Sequence, residues 1–291
     1  MTSLDAPSTA SECFGILAGN GVLPMHLADA LRKRSIPFVV AGLMGQAAAV
    51  HFPFAVEFKR FGIGAVEDSV NFFQTHGVRK IFFAGGVTRS DVWRYLRPDR
   101  VGARLLRSAL LNGDNTLLMQ CAAAYVDLGL EVIDPAPLFS DLFVETGLLA
   151  GPPPALCTFA DLTSAREAAL QNGSRDLGQA ALARNGVVLG LEDHRGTDAL
   201  IRSRGRPGAS LVKMVKPAQD RRFDLPAVGT ETIETARRAG LSAVGVEASG
   251  VLVLDKAAVY AACDAHGISF VGLTVDAVSE VGCSTIHGNA P

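Results

Sequence analysis

From residue 14 to about residue 133, short apolar runs rich in β-branched and aromatic residues alternate with stretches whose apolar residues recur every three or four positions. This order predicts strands joined by helices, the arrangement that builds a parallel sheet through right-handed crossovers. The runs are 14–18 (FGILA), 38–41 (FVVA), 80–84 (KIFFA) and 130–133 (LEVI). Between them Leu23, Leu27, Ala30 and Leu31 keep helical spacing, as do Val66, Val70 and Phe73. Asp114 is placed to cap a further helix through Leu118, Ala122 and Tyr125, with Gly129 at its C-cap.

The run 151–154 (GPPP) can continue neither a helix nor a central strand, and it is the expected linker between two domains, 1–150 and 151–291. A chain of 291 residues with 48% apolar content lies where a single core usually splits in two. Beyond the linker the pattern resumes: a helix at 161–171, a strand at 186–189, a helix entered at 196–198 and a strand at 210–212. A helix at 232–239, strands at 243–246 and 251–254, a helix to about 265 and a run at 268–271 follow. The expected fold is α/β throughout, a Rossmann-like parallel-sheet domain followed by a second α/β domain. No internal repeat or low-complexity segment interrupts it.

Lys and Arg number 27 against 29 Asp and Glu, a net charge of -2, so no global field favours nucleic acid or an anionic bilayer. Any anion site must be local. Cys13, Cys121, Cys157, Cys263 and Cys283 are odd in number, far apart and without a C-x-x-C pair, which argues for reduced thiols rather than a disulfide framework or zinc knuckle. The opening MTSLDAPSTASE lacks the basic start and apolar core of a signal peptide, and no apolar run approaches membrane-spanning length. A cytoplasmic protein is expected.

The densest chemistry lies at 205–229 (GRPGASLVKMVKPAQDRRFDLPAVG), where Lys213, Lys216, Gln219, Asp220, Arg221, Arg222 and Asp224 gather around Pro217 and Pro226 without amphipathic periodicity. An anionic ligand held by cations, with a carboxylate recruiting a metal or a water, fits this grouping; a solvated basic loop is the plainer reading. Two glycine turns follow predicted strands: Gly19-Asn20-Gly21, running into Pro24 and a helix, and Gly85-Gly86. Both open on the sheet edge where α/β folds bind phosphates, although each also serves as a tight turn. Pro24 at the third glycine position, and a second strand ending without a ribose-binding acid, disfavour a nicotinamide oxidoreductase. Asp114 is either an N-cap or a ligand contact. The turn 192–198 (EDHRGTD) crowds carboxylates at a helix start, where Thr197 or Asp198 is either a cap or, as hard oxygen donors suit, a binder of magnesium or manganese. His194 has no H-x-x-x-H partner, and no nucleophile elbow is present.

Taken together, GNGVLP, LRPD at 96–99, LNGDNTLL at 111–118, DLGQAALARNGVV at 176–188, GTDALI at 196–201 and the string LVKMVKPAQDRRFDLPAVG resemble the LpxI family of UDP-2,3-diacylglucosamine pyrophosphatases over roughly residues 14–280. The resemblance implies an enzyme of lipid A biosynthesis that hydrolyses the pyrophosphate of UDP-2,3-diacylglucosamine to UMP and 2,3-diacylglucosamine 1-phosphate. It implies Mg²⁺, or Mn²⁺, as cofactor, a homodimer, peripheral contact with the inner membrane, and a ligand crevice between the domains. By motif, Asp224 matches the family's catalytic aspartate. Asp220, Lys213 and Arg222 complete the expected catalytic group, and Asp224 and Asp198 are the expected metal ligands. Gly19, Asn20, Gly21, Gly85, Gly86, Asp114, Thr197, Gln219 and Phe223 are the expected substrate contacts. Arg195 departs from the pattern where an acid precedes Gly-Thr-Asp, and Ala218 stands where glycine is frequent. The alternative is a non-catalytic nucleotide-sugar or lipid-binding protein, which has no need of Asp220 and Asp224 beside the cations.

Overall fold

A computed structural model describes residues 12–275 apart from Thr88, Gly113, Ala218 and Asp224, with backbone alone at 89–91, 108–112 and 114–118. The chain forms two compact units: residues 12–139 together with 220–223, and residues 140–219 together with the chain from Leu225.

The first unit runs β1 (Phe14–Ala18), α1 (Leu23–Lys33), β2 (Phe38–Leu43), β3 (Phe58–Phe61), α2 (Val66–Thr75), β4 (Lys80–Ala84), α3 (Arg89–Tyr95), α4 (Arg100–Asn112), α5 (Asp114–Asp127) and β5 (Glu131–Val132). Its sheet has the order β3-β2-β1-β4-β5 and is parallel at every described pairing, a Rossmann-like arrangement. β1 is buried along its whole length, which explains its unbroken apolar sequence: helices cover both faces of a parallel sheet. The strand that the apolar runs do not announce is β3, FKRF, an edge strand whose Lys59 and Arg60 are exposed. The core joins Val39, Ala41, Val70, Phe73, Ile81 and Phe83 to Tyr125, whose hydroxyl meets Ser69 Oγ at 2.6 Å. α5 closes as its sequence predicts, with Gly129 at φ +90 and Leu130 N–H donating to Tyr125 O at 3.0 Å.

The second unit contains β6 (Gly147–Ala150), α6 (Leu156–Ser174), β7 (Ala180–Arg184), β8 (Val187–Leu191), α7 (Thr197–Arg204), β9 (Ser210–Lys213), β10 (Ala227–Val228), α8 (Thr230–Ala239), β11 (Ala243–Glu247), β12 (Leu252–Val253), α9 (Lys256–His266) and β13 (Ser269–Leu273). The mixed sheet β6-β13-β11-β9-β7-β8 has a parallel centre and antiparallel flanks, and β10 pairs with β12 separately. Alternate residues supply two cores. Ala181, Ala183 and Val212 pack against Leu162, Ala165 and Ala169 of α6, while Leu182, Leu211 and Val244 face Ile201, Ile233 and Val259 of α7, α8 and α9.

The division between units falls after Phe139 rather than near 150, and the run 151–154 joins β6 to α6 inside the second unit. The reason is hydrogen bonding. β6 pairs antiparallel with β13, Gly151 N–H donates to Asp264 Oδ1 at 2.6 Å, and Pro152 O accepts from Ser269 Oγ at 2.7 Å. The prolines end a strand; they do not free a linker. Among the described residues no helix is long and apolar enough to cross a membrane.

Candidate functional site

In the first unit the two glycine turns follow adjacent central strands and are laced together by backbone. Gly19 N–H donates to Ala84 O at 2.8 Å, Asn20 N–H to Gly86 O at 2.7 Å, and Gly86 N–H to Asn20 O at 3.1 Å. The four glycines therefore divide. A Cβ on Gly19 would stand 2.4 Å from Gly86 O, and one on Gly85, at φ +82, would stand 2.3 Å from Asn20 O. Their role is close approach between loops. Gly21 and Gly86 have no neighbour within 4 Å of a built Cβ, so these two face open space. Asn20 Oδ1 accepts Gly21 N–H at 2.7 Å, which stiffens the loop just before α1. α1 has no side-chain cap and no acid in its first turn, leaving its positive end available to an anion. Asp114 begins α5, and its side chain lies outside the described residues.

Residues 220–223 belong to this unit although the second unit flanks them in sequence. Phe223 lies against Phe83, the penultimate residue of β4, with ring centroids 5.7 Å apart. Arg221 Nε is 3.9 Å from Asp134 Oδ2, just beyond β5. The signature segment is thus seated at the carboxyl ends of β4 and β5, the edge of an open α/β sheet where ligands bind. Within it Arg222 grips Asp220, Nη2 to Oδ2 at 2.6 Å and Nε to Oδ1 at 3.0 Å, and lays its guanidinium 5.1 Å over the Phe223 ring. Hydrogen bonds from Arg222 hold the Asp220 carboxyl below the ordinary carboxylate range. Phe223, expected as a substrate contact, serves as an apolar anchor here. Asp224, the next residue, lies outside the described residues.

In the second unit Lys213 ends β9 in a buried position, 9% exposed, and its Nζ donates to Ala227 O at 3.0 Å. Gln219 closes a turn with Lys216: its Oε1 accepts Lys216 N–H at 3.1 Å and its own N–H donates to Lys216 O at 2.9 Å. Thr197, the first residue of α7, donates Oγ1–H to Glu192 Oε1 at 2.6 Å, and Gln179 N–H donates to Glu192 Oε2 at 2.7 Å. Buried Glu192 therefore ties α7 to the segment entering β7, and Asn172 Nδ2 fixes Glu192 O at 2.9 Å. Thr197 is a structural partner of Glu192 rather than a cap on its own helix. Beside it, Asp198 Oδ1 is buried with no hydrogen-bond partner, as is Gln179 Oε1.

An acceptor-only oxygen left without a donor is an observation that fits a hard cation, and Mg²⁺ commonly takes only one or two protein carboxylates beside phosphates and water. Among the described residues no group of three or more His, Cys, Asp or Glu side chains is arranged to hold a metal. Arg195, the departure in this turn, folds back on Asp193 with Nη2 to Oδ2 at 2.7 Å, and its hydrogen bonds hold the Asp193 carboxyl down at about 2. Glu192 and Gln179 were within motifs read from the sequence, but nothing in a linear string shows that one carboxylate joins them.

Two family domains follow one another along the chain. Residues 13–142 match the LpxI N-terminal domain and residues 145–271 the LpxI C-terminal domain. A protein of Caulobacter vibrioides, UDP-2,3-diacylglucosamine pyrophosphatase LpxI, is 33% identical over 275 residues, covering 89% of this chain and 96% of that protein. Among solved structures, UDP-glucose-4-epimerase from Stenotrophomonas maltophila with bound NAD and formylated UDP-arabinopyranose is 14% identical over 42% of this chain and 35% of its own, at a TM-score of 0.26. The biotin carboxylase domain of a thermophilic 2-oxoglutarate carboxylase is 17% identical over 58% and 34%, at a TM-score of 0.23.

Proposed function

The chain belongs to the LpxI family, and from that premise we propose that it is a hydrolase cleaving the pyrophosphate bond of UDP-2,3-diacylglucosamine to UMP and 2,3-diacylglucosamine 1-phosphate in lipid A biosynthesis. The observation that carries the proposal is identity of 33% to a pyrophosphatase across 89% of the chain, with both family domains in order. Its physical support is the seating of residues 220–223 at the carboxyl edge of a Rossmann-like sheet, beside two glycine turns.

Hydrolysis of an anhydride needs phosphate charge neutralised, a water oriented, and the leaving phosphate stabilised. No protein nucleophile is required. In the proposed step the water oxygen bonds to the lipid-side phosphorus and the bridging oxygen departs with UMP. Asp224 orients that water. Lys213 counters phosphate charge, and the buried setting of its ammonium reduces competition from solvent. Arg222 and Asp220 neutralise each other, and their pairing suits them to stiffening the turn that precedes Asp224. Bound Mg²⁺ or Mn²⁺ would supply further neutralisation of the phosphates, and Asp198 is the described residue fitted to hold it. The proposal extends to action in the cytoplasm, peripheral contact with the inner membrane, and a homodimer, each resting on the family.

Release of UMP from UDP-2,3-diacylglucosamine by the purified protein, with Mg²⁺ or with EDTA and beside Asp224→Ala, tests the reading. We expect metal-dependent release that falls about 100-fold or more in the variant while substrate binding persists. Absence of release under any metal, with substrate still bound, would overturn the hydrolase in favour of a binding protein.

A further inference from the structure

The LRPD motif at 96–99 has no part in the chemistry above, yet many interactions hold it still. Leu96 bridges Ile63, and Arg97 N–H donates to Ile63 O at 2.9 Å. Asp99 Oδ2 accepts Glu67 N–H at 2.5 Å and Asp68 N–H at 3.3 Å, while Oδ1 accepts Gly102 N–H at 2.9 Å. One carboxylate thereby serves the first turns of both α2 and α4. Gly62 completes the placement, because a Cβ there would stand 2.4 Å from Arg97 Cβ. The base of the Arg97 side chain is set by its surroundings.

Arg97 lines an open cavity of about 650 Å³ together with Lys59 and Arg60 of β3 and the α2 face carrying Asp68 and Phe72. Lys59 Nζ stands 5.5 Å over the Phe61 ring and 6.0 Å over Phe72, so this cation lies above an apolar floor. The wall also holds two acids. Glu57 is engaged by His76 at 2.8 Å, which leaves Asp68 against Lys59, Arg60 and Arg97. None of the glycine-turn residues, and none of residues 213–224, lines this space. Its volume is that of a small-ligand pocket, and the Arg97 guanidinium, held through Nη1 by Leu96 O at 2.7 Å, keeps further N–H donors that suit phosphate oxygens.

We infer that this cavity is a separate anion site that binds a small phosphate monoester, with Arg97 and Lys59 contacting the phosphate and Phe61 and Phe72 supporting the apolar part of the ligand. The inference does not depend on the hydrolase reading, whose failure would be read independently as absence of UMP release.

Titration of the full-length protein with UMP and, separately, inorganic phosphate, followed by amide NMR, tests it. The reporters are the amides of Gly62, Asn71 and Arg97 for the cavity and of Gly21 and Gly86 for the glycine turns. Saturable shifts at the cavity reporters, weakened about tenfold or more in Arg97→Ala and in Lys59→Gln, are expected. Shifts with both probes assign the phosphate itself as the recognised group; shifts with UMP alone assign a nucleotide-sized monoester. Shifts confined to Gly21 and Gly86, no shift with either probe, or cavity shifts unchanged in both variants would overturn the site. Arg97→Ala keeps the Cβ that faces Gly62, and Lys59→Gln changes only an exposed side chain of the edge strand, so one variant checks the other's fold.

Discussion

Four glycines that look alike in sequence do different work. Gly19 and Gly85 sit where a methyl group would strike the backbone of the opposite loop, and backbone held by three hydrogen bonds has little room to yield. Gly19→Ala and Gly85→Ala should each cost about 1–3 kcal/mol in urea denaturation, with Gly85 at the upper end because its φ of +82 adds strain. Gly86→Ala meets open space and should change stability by less than about 0.5 kcal/mol while raising KM for the nucleotide substrate. Unchanged KM would remove Gly86 from the ligand face. The Asp220 carboxyl gives a second residue-level expectation. Its folded value is depressed by Arg222, so the stability it contributes is present above the unfolded value of about 3.9 and is lost as pH falls through the lower folded value. Arg222→Gln should therefore raise the Asp220 titration midpoint in carboxyl-carbon NMR, and an unmoved midpoint would refute the pairing.

At the scale of elements, legibility followed burial. β1, β2 and β4 were readable because strands covered on both faces must be apolar throughout, whereas β3 places charges on an edge and β5 spans only Glu131–Val132. β7 was missed because its inward residues are mostly alanine, chosen for close packing against α6 rather than for strand propensity. The sequence nevertheless carried a cue in Asn185-Gly186, a two-residue loop with both φ positive, 52 and 73, as a type I′ hairpin requires. Buried Asp161 of α6 accepts Gly186 N–H at 2.6 Å, fastening the hairpin tip to the helix. Asp161→Ala should cost about 1 kcal/mol by thermal or urea unfolding, since it removes that hydrogen bond at a tip that water reaches. The functional string was legible as a cluster of cations and acids, but its internal pairings were not: Arg222 had several possible carboxylate partners by sequence and found Asp220 two residues away. Glu192, Gln179 and Thr197 meet only because β7, β8 and α7 bring them together.

For the whole molecule, the path of the chain matters as much as either unit. The first unit is not contiguous in sequence: its own fold is completed by residues 220–223, which arrive from within the second unit's stretch of chain. Phe223 fastens that insertion by packing on Phe83, which itself meets Tyr125 edge-on at 5.2 Å, so the anchor reaches the middle of the first unit's core. The second unit draws its cores from other residues, around Leu211, Val244 and Phe270 on one face and Leu162 and Val212 on the other. Losing the anchor should therefore be felt unequally. In full-length Phe223→Ala, hydrogen exchange should quicken at β4 and α5 while amides of β9, β11 and β13 keep their protection. Stability of the first unit should fall by about 1–2 kcal/mol, less than for a fully buried phenylalanine because Phe223 is only partly covered. Turnover should fall further than that figure accounts for, because the turn leading to Asp224 loses its seat as well as its packing. Equal loss of protection in both units would mean that Phe223 supports the molecule generally, and unchanged exchange at β4 and α5 would mean that the segment is held by its backbone and by polar contacts such as Arg221–Asp134.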